Sequence, residues 1–285
     1  MKMEHKAAIN RAFELFPAGR LLRRYAQNRR GLTVPLAERL PAYRWHLEVA
    51  RKYGAFDLSN ATAYEFGAGR DLSSQIMLWC CGVPRQIVVD RERLLDEALI
   101  NQAMRAIAKL DEPSLCRRPE PGMRYHDMGI EYHAPADARN VPLPDGSIDL
   151  ILSSNTLEHI PAEELLPILN ECRRLCSPGG VVSMAIDYSD HYSHSDKKIG
   201  RTNFLRYSDR DFKRFQSSFL YQNRLRHSDY RRLFERSGLI VRDEWVIVEP
   251  EDVEDVMHGP VAERFSGYAP EDAAARHGTF ALVPG

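Results

Sequence analysis

Between residues 61 and 186 the chain alternates short apolar runs with segments of helical periodicity, and no other feature limits its fold as tightly. The runs at 63–66, 86–90, 148–153 and 181–186 are too short for helices and end at turn residues, so they read as strands, with a weaker strand near 130–134. Helical patterns lie between them, one closed by Gly82, one running through Leu110, and one spanning about 162–176. Strands alternating with helices make βαβ units, which imply an α/β fold, a parallel sheet and right-handed crossovers. Two later runs, 239–248 and 279–283, read as the last strands, an antiparallel pair. A helix over 229–237, capped by Ser228 and stopped by Gly238, precedes them.

The flanks differ in character. A chain of 285 residues sets a prior of about two domains. Residues 1–57 read as an N-terminal helical cap. Ile9, Phe13 and Phe16 share one face of a first helix, and Tyr43, Leu47 and Ala50 one face of a second that Gly54 closes. The main domain then spans 58–285. Within it, residues 187–225 break the rhythm, being rich in Tyr, His, Asp, Ser and Arg, and read as a lid insertion after the fifth strand, with one short helix from Asp209.

Charge nearly cancels, with 39 Lys and Arg against 40 Asp and Glu, which excludes a uniformly basic nucleic-acid coat. It is unevenly spread, however. Residues 1–52 carry 12 basic and 4 acidic side chains, residues 201–242 carry 11 and 4, and residues 243–285 carry 2 and 10. No stretch approaches the roughly 18 apolar residues of a membrane span, and the first residues lack a secretory h-region. Five cysteines, with Cys80, Cys81, Cys172 and Cys176 in helical-looking runs, fit a reduced cytoplasmic protein whose thiols pack as small hydrophobes.

The sharpest motif is Glu65-Phe66-Gly67-Ala68-Gly69-Arg70-Asp71, placed directly after the first strand and opening a helix. Glycines there allow a tight turn and close approach of a ligand to free N–H groups. Asp71 stands where a dinucleotide fingerprint has its third glycine. Asp90 ends the next strand, 25 residues beyond Glu65, where an acid can accept both hydroxyls of a ribose. Further on come Asp137-Ala138 within D-A-x-x-x-P-x-P-D-G-S-x-D, then Ser154-Asn155-Thr156-Leu157-Glu158-His159, then Ser177-Pro178-Gly179-Gly180. In this order the motifs resemble class I S-adenosylmethionine (SAM) dependent methyltransferases, over 61–186 well and over 226–283 loosely. The resemblance implies a Rossmann-like class I methyltransferase fold with a mostly parallel seven-stranded sheet.

The resemblance also implies site roles. Glu65, Gly67 and Gly69 should line the methionine and ribose end of SAM, with Arg70 either binding its carboxylate or facing solvent. Asp90 should hold the ribose hydroxyls, Asp137 with Ala138 the adenine amino group, and Asn155 the region beneath the sulfonium. His159 is a candidate general base or a packing residue at a helix start. Tyr188, His191 and Tyr192 follow the fifth strand, at the carboxyl end where open α/β sheets bind ligands, and are candidates for orienting an acceptor or stabilising a cation. His191 and His194 sit three apart beside Asp187 and Asp190, but no metal is expected and a polar loop is the plainer reading. Methyl transfer to a small molecule leads. An azetidine-2-carboxylate synthase resemblance offers an alternative in which SAM cyclises on itself and releases methylthioadenosine. An RNA-directed enzyme using the basic segments is a third reading. A nucleic-acid partner and a membrane are not expected, and the N-terminal helices could mediate a homodimer.

Overall fold

A computed structural model describes residues 3–16, 19 and 35–285. Seven strands form one sheet: β1 (Thr62–Phe66), β2 (Arg85–Val89), β3 (Ile130–His133), β4 (Ile148–Ser154), β5 (Cys176–Asp187), β6 (Leu239–Ile247) and β7 (His277–Pro284). Their spatial order is β3-β2-β1-β4-β5-β7-β6, with β7 antiparallel to both neighbours and the other pairs parallel. The antiparallel pair expected at the end of the chain is present, and its second strand inserts between β5 and β6. Parallel strands covered on both faces lose their alternation, and β1, β2 and β4 are buried at nearly every position after the first.

The helices numbered here in chain order are α1 (Met3–Glu14), α2 (Leu36–Tyr53), α3 (Ser73–Cys80), α4 (Glu97–Ala108), α5 (Ala162–Leu175), α6 (Asp209–Phe212), α7 (His227–Arg236), α8 (Pro250–His258) and α9 (Pro270–Ala274). Two of the expected boundaries move. Cys176 opens β5 rather than ending α5, so it shares no helix with Cys172. Ser228 lies inside α7 and not at its cap, because Arg226 precedes the helix and the Asp229 carboxylate turns back to accept the Arg226 N–H at 2.8 Å.

The two described helices of the N-terminal segment pack in different places. Helix α2 belongs to the sheet layer: Tyr43, His46, Leu47, Val49 and Ala50 are buried against the strands and α3. Helix α1 instead docks on the segment 187–225, where Ala7 joins a small core of Tyr192, Phe204, Phe212, Phe215 and Phe265. Lys6 donates to the Ser195 hydroxyl at 2.8 Å and Arg11 to the Lys213 carbonyl at 3.0 Å. The small core around 187–225 thus draws on three distant parts of the chain, because Phe265 and its neighbours arrive from the segment between β6 and β7. That segment carries α8 and α9, which the sequence reading left without elements.

Part of the opposition between the basic segment 201–242 and the acidic segment 243–285 is met within the molecule. Arg231 and His227 meet Glu244, Arg264 meets Asp209, and the fully buried Arg226 donates to the carbonyls of Tyr188, Asp272 and Ala275. Among the described residues no helix is long and apolar enough to cross a membrane. All five cysteines are free.

Candidate active site

The carboxyl ends of β1, β2, β4 and β5 converge on one edge of the sheet, the position where open α/β sheets take ligands. After β1 the chain turns through Gly67 at φ +79° and Gly69 at φ +78°, a region costly for any side chain but glycine. A Cβ on Gly67 would collide with the Thr156 side chain, whose hydroxyl donates to the Gly67 carbonyl at 3.1 Å. A Cβ on Gly69 would meet nothing within 4 Å, so the space over this second glycine is open.

Asp71, which replaces the third glycine, anchors the loop from behind. It pairs with Arg39 of α2 at 2.9 Å and accepts from the N–H and hydroxyl of Ser73, while Arg39 and Tyr43 also donate to Ser73. The sequence reading had no signal for Arg39, because its partner lies 32 positions away. His46 was missed for the same reason. It is 1% exposed beneath the sheet, bonded to Ser183 at 2.7 Å and to Ser154 at 2.8 Å, and burial pushes its imidazole down to about 3, so it stays neutral. It fixes Ser154, the residue before Asn155.

Two buried acids face the glycine loop. Glu65 accepts from the Gln75 amide, and burial, with Asp90 nearby, raises its carboxyl to about 8. Asp90 is raised to about 7 by burial, partly offset by the Tyr132 hydroxyl and the Gly69 N–H. Its Oδ2 is buried without any hydrogen-bond partner. An acceptor left in that state is costly unless a ligand donates to it. A ribose diol supplies such donors, so these residues fit the nucleoside of SAM.

The other cofactor candidates are placed as follows. Arg70 is half-buried, and its carbonyl accepts from the Asp96 N–H at 3.0 Å. Asp137 is exposed and its carboxylate is held by Arg139 in a two-pronged pair, with the closest contact at 2.8 Å, which lowers its pKa. Ala138 packs on the core. Asn155 is exposed, takes φ +50° at the end of β4, and is tied by its N–H to the Ala185 carbonyl at 2.8 Å.

The catalytic candidates divide. Tyr188 is 2% exposed, bonded through its hydroxyl to His227 at 3.0 Å, stacked on Tyr230, and seated on Gly278 of β7. Tyr192 is buried in the lid core, donating to the Phe215 carbonyl at 2.6 Å. Both rings are packed inward. Position just after the strand did not reveal which way either ring turns. His159 and His191 instead come together, ring centroids 4.8 Å apart, and His194 lies 5.2 Å beyond His191. Asp187 Oδ2 is 3.6 Å from His191 Nε2 and 3.4 Å from His194 Nε2. Glu158, the neighbour of His159 in the same triplet, is 2% exposed, with neither carboxylate oxygen hydrogen-bonded to a side chain. Burial, with Asp187 nearby, raises it well above the ordinary range. Asn223 holds this turn to the lid through the Leu157 and Ile160 carbonyls at 2.8 and 2.9 Å.

Residues 101–184, from α4 into β5, match the family model described as "Methyltransferase domain". No curated protein sequence matches the chain. A solved geranyl diphosphate methyltransferase in complex with SAM is similar over 87% of this chain and 87% of its own, at 11% identity and a TM-score of 0.50. The same enzyme type with GPP and sinefungin matches over 86% and 78%, at 11% identity and a TM-score of 0.50. The geranyl diphosphate C-methyltransferase of Streptomyces coelicolor A3(2) matches over 84% and 76%, at 12% identity and a TM-score of 0.49. The strand order and the matched domain make this chain an enzyme of the class I methyltransferase fold, and the domain implies S-adenosylmethionine as its co-substrate.

Proposed function

We propose that the protein transfers the methyl group of SAM to a small molecule. The observation that carries this reading is Asp90: a buried carboxylate with an unpartnered oxygen beside an open glycine, on the strand next to β1. Asp90 would hold the ribose hydroxyls, while Glu65, Gly67, Gly69 and Arg70 line the methionine end. Asp137 and Ala138 would border the adenine, which requires Asp137 to share or release Arg139. Asn155 stands beneath the sulfonium. When bound, SAM supplies a methyl on a positive sulfur; this chain's part is to hold a nucleophile in line with it, and orientation alone can contribute about 7–11 kcal/mol.

The acceptor would approach from the lid side, where His159, His191 and His194 stand at the carboxyl ends of β4 and β5. Within the basic segment 201–242, Arg224, Arg226 and Arg231 are engaged internally, which does not favour an RNA acceptor there. Titration calorimetry with SAM tests the reading, followed by mass spectrometry of a SAM-only incubation. Binding with intact SAM supports methyl transfer to a separate acceptor. Release of methylthioadenosine would replace it with self-cyclisation, and absence of binding would remove SAM use altogether.

A further inference from the structure

Glu158 and His159 are neighbours in the chain and His191 lies 32 positions further on, yet one potential ligand atom from each lies within 4.8 Å of the others. Glu158 and His191 are 2% and 7% exposed, and both Glu158 oxygens and the His191 Nε2 lack a hydrogen-bond partner. Only the N–H groups of Glu158 itself and Asp187 lean toward the Glu158 carboxylate. Unpartnered buried polar atoms are costly, so three of them in one place call for a ligand. His159 donates its Nδ1–H to the Tyr221 carbonyl at 2.8 Å, leaving the Nε2 lone pair free. That outer bond is how metal-bound imidazoles are commonly oriented. Asp187 adds negative potential beside His191, while Asp190 does not take part, because its oxygens are spent on the Tyr192 N–H and the Asn203 amide.

We propose that Glu158, His159 and His191 bind a divalent first-row transition ion between the turn after β4 and the lid. Two imidazoles and one carboxylate are a donor set such ions favour over magnesium or calcium. Bonds of about 2.0–2.2 Å require the three side chains to draw together slightly around the ion. Three protein ligands leave positions for water or for an oxygen of the acceptor. The ion site stands on its own geometry; its use in holding and acidifying an acceptor hydroxyl rests on the methyl-transfer reading, in which the imidazoles then act through the ion and not as free bases.

The test uses the full chain, stripped by a chelator, dialysed, and titrated with Co2+ and Zn2+. Expected are one ion per chain by elemental analysis, visible Co2+ bands, and a rise in melting temperature, all without SAM. Glu158→Gln and His191→Asn should each weaken binding at least about tenfold, while His258→Asn on α8 should not. If Glu158→Gln does not fold, His159→Asn, at an exposed position, carries the test. Substoichiometric metal, or equal affinity in wild type and the ligand variants, overturns the site. Calorimetry with SAM on the same samples separates the two readings. Metal bound without SAM affinity leaves the site and removes the methyl-transfer role, and the reverse result does the opposite.

Discussion

Asp90 and Asp190 are both almost wholly buried, at 4% and 0% exposure, and both follow a strand of the parallel sheet. They differ in company. Asp190 accepts from the Tyr192 N–H at 2.8 Å and the Asn203 amide at 2.9 Å, and so ties the lid to itself. Asp90 keeps one oxygen unmatched beside the glycine loop. A satisfied buried carboxylate is part of the architecture, and an unsatisfied one marks a place where the molecule expects something else to donate.

The contrast breaks most visibly if Asp90→Ala leaves SAM affinity unchanged. The expected loss is on the order of 100-fold by calorimetry, since two donor bonds to a buried carboxyl group are removed. The same variant should be more stable than wild type above pH 7. Folded Asp90 holds its proton up to about pH 7, whereas an unfolded one releases it near 3.8. The folded state therefore binds the extra proton between these values, and wild-type stability from this group falls as pH rises through that window. Melting curves from pH 5 to 8 should run flatter in the variant, and parallel curves would refute the assignment.

Asp190→Ala should do the reverse: SAM binding largely kept, but about 2–3 kcal/mol of stability lost because two donors are stranded. Hydrogen exchange should rise across 187–225, and unaltered protection there would contradict the bracing role. Arg39→Ala is a milder probe of the glycine loop, costing about 1.5 kcal/mol in denaturant unfolding, since Ser73 still holds Asp71. Tyr188→Phe should cost about 1 kcal/mol or less and leave SAM affinity alone. A fall in affinity would return Tyr188 to the binding site.

The strand and helix alternation was legible because burial on both faces writes continuous apolar runs into β1, β2 and β4. The glycine loop and Asp90 were legible because a tight turn and a strand end each need a particular residue type at a short, fixed spacing. What stayed hidden depends on contacts between distant positions. Arg39 with Asp71, His46 with Ser154 and Ser183, and Asn223 with Leu157 and Ile160 leave no local pattern. Tyr188 shows the converse hazard: its position after β5 suggested chemistry, while its ring turned into the packing around Gly278. Glu158 stands in a triplet that reads as architecture at a strand-to-helix junction, and its burial without partners is not visible in the local pattern.

The placement of β7 between β5 and β6 also bears on how the molecule is made. On the ribosome, β6 emerges before the strand that joins it to the sheet, so for a time β5 presents an open edge and β6 has no neighbour. Such a nascent chain offers two templates for pairing with other chains. Aggregation of this protein should therefore be governed by how quickly translation passes from β6 through β7, and slowing synthesis between them should lower the soluble yield even though the finished fold is unchanged.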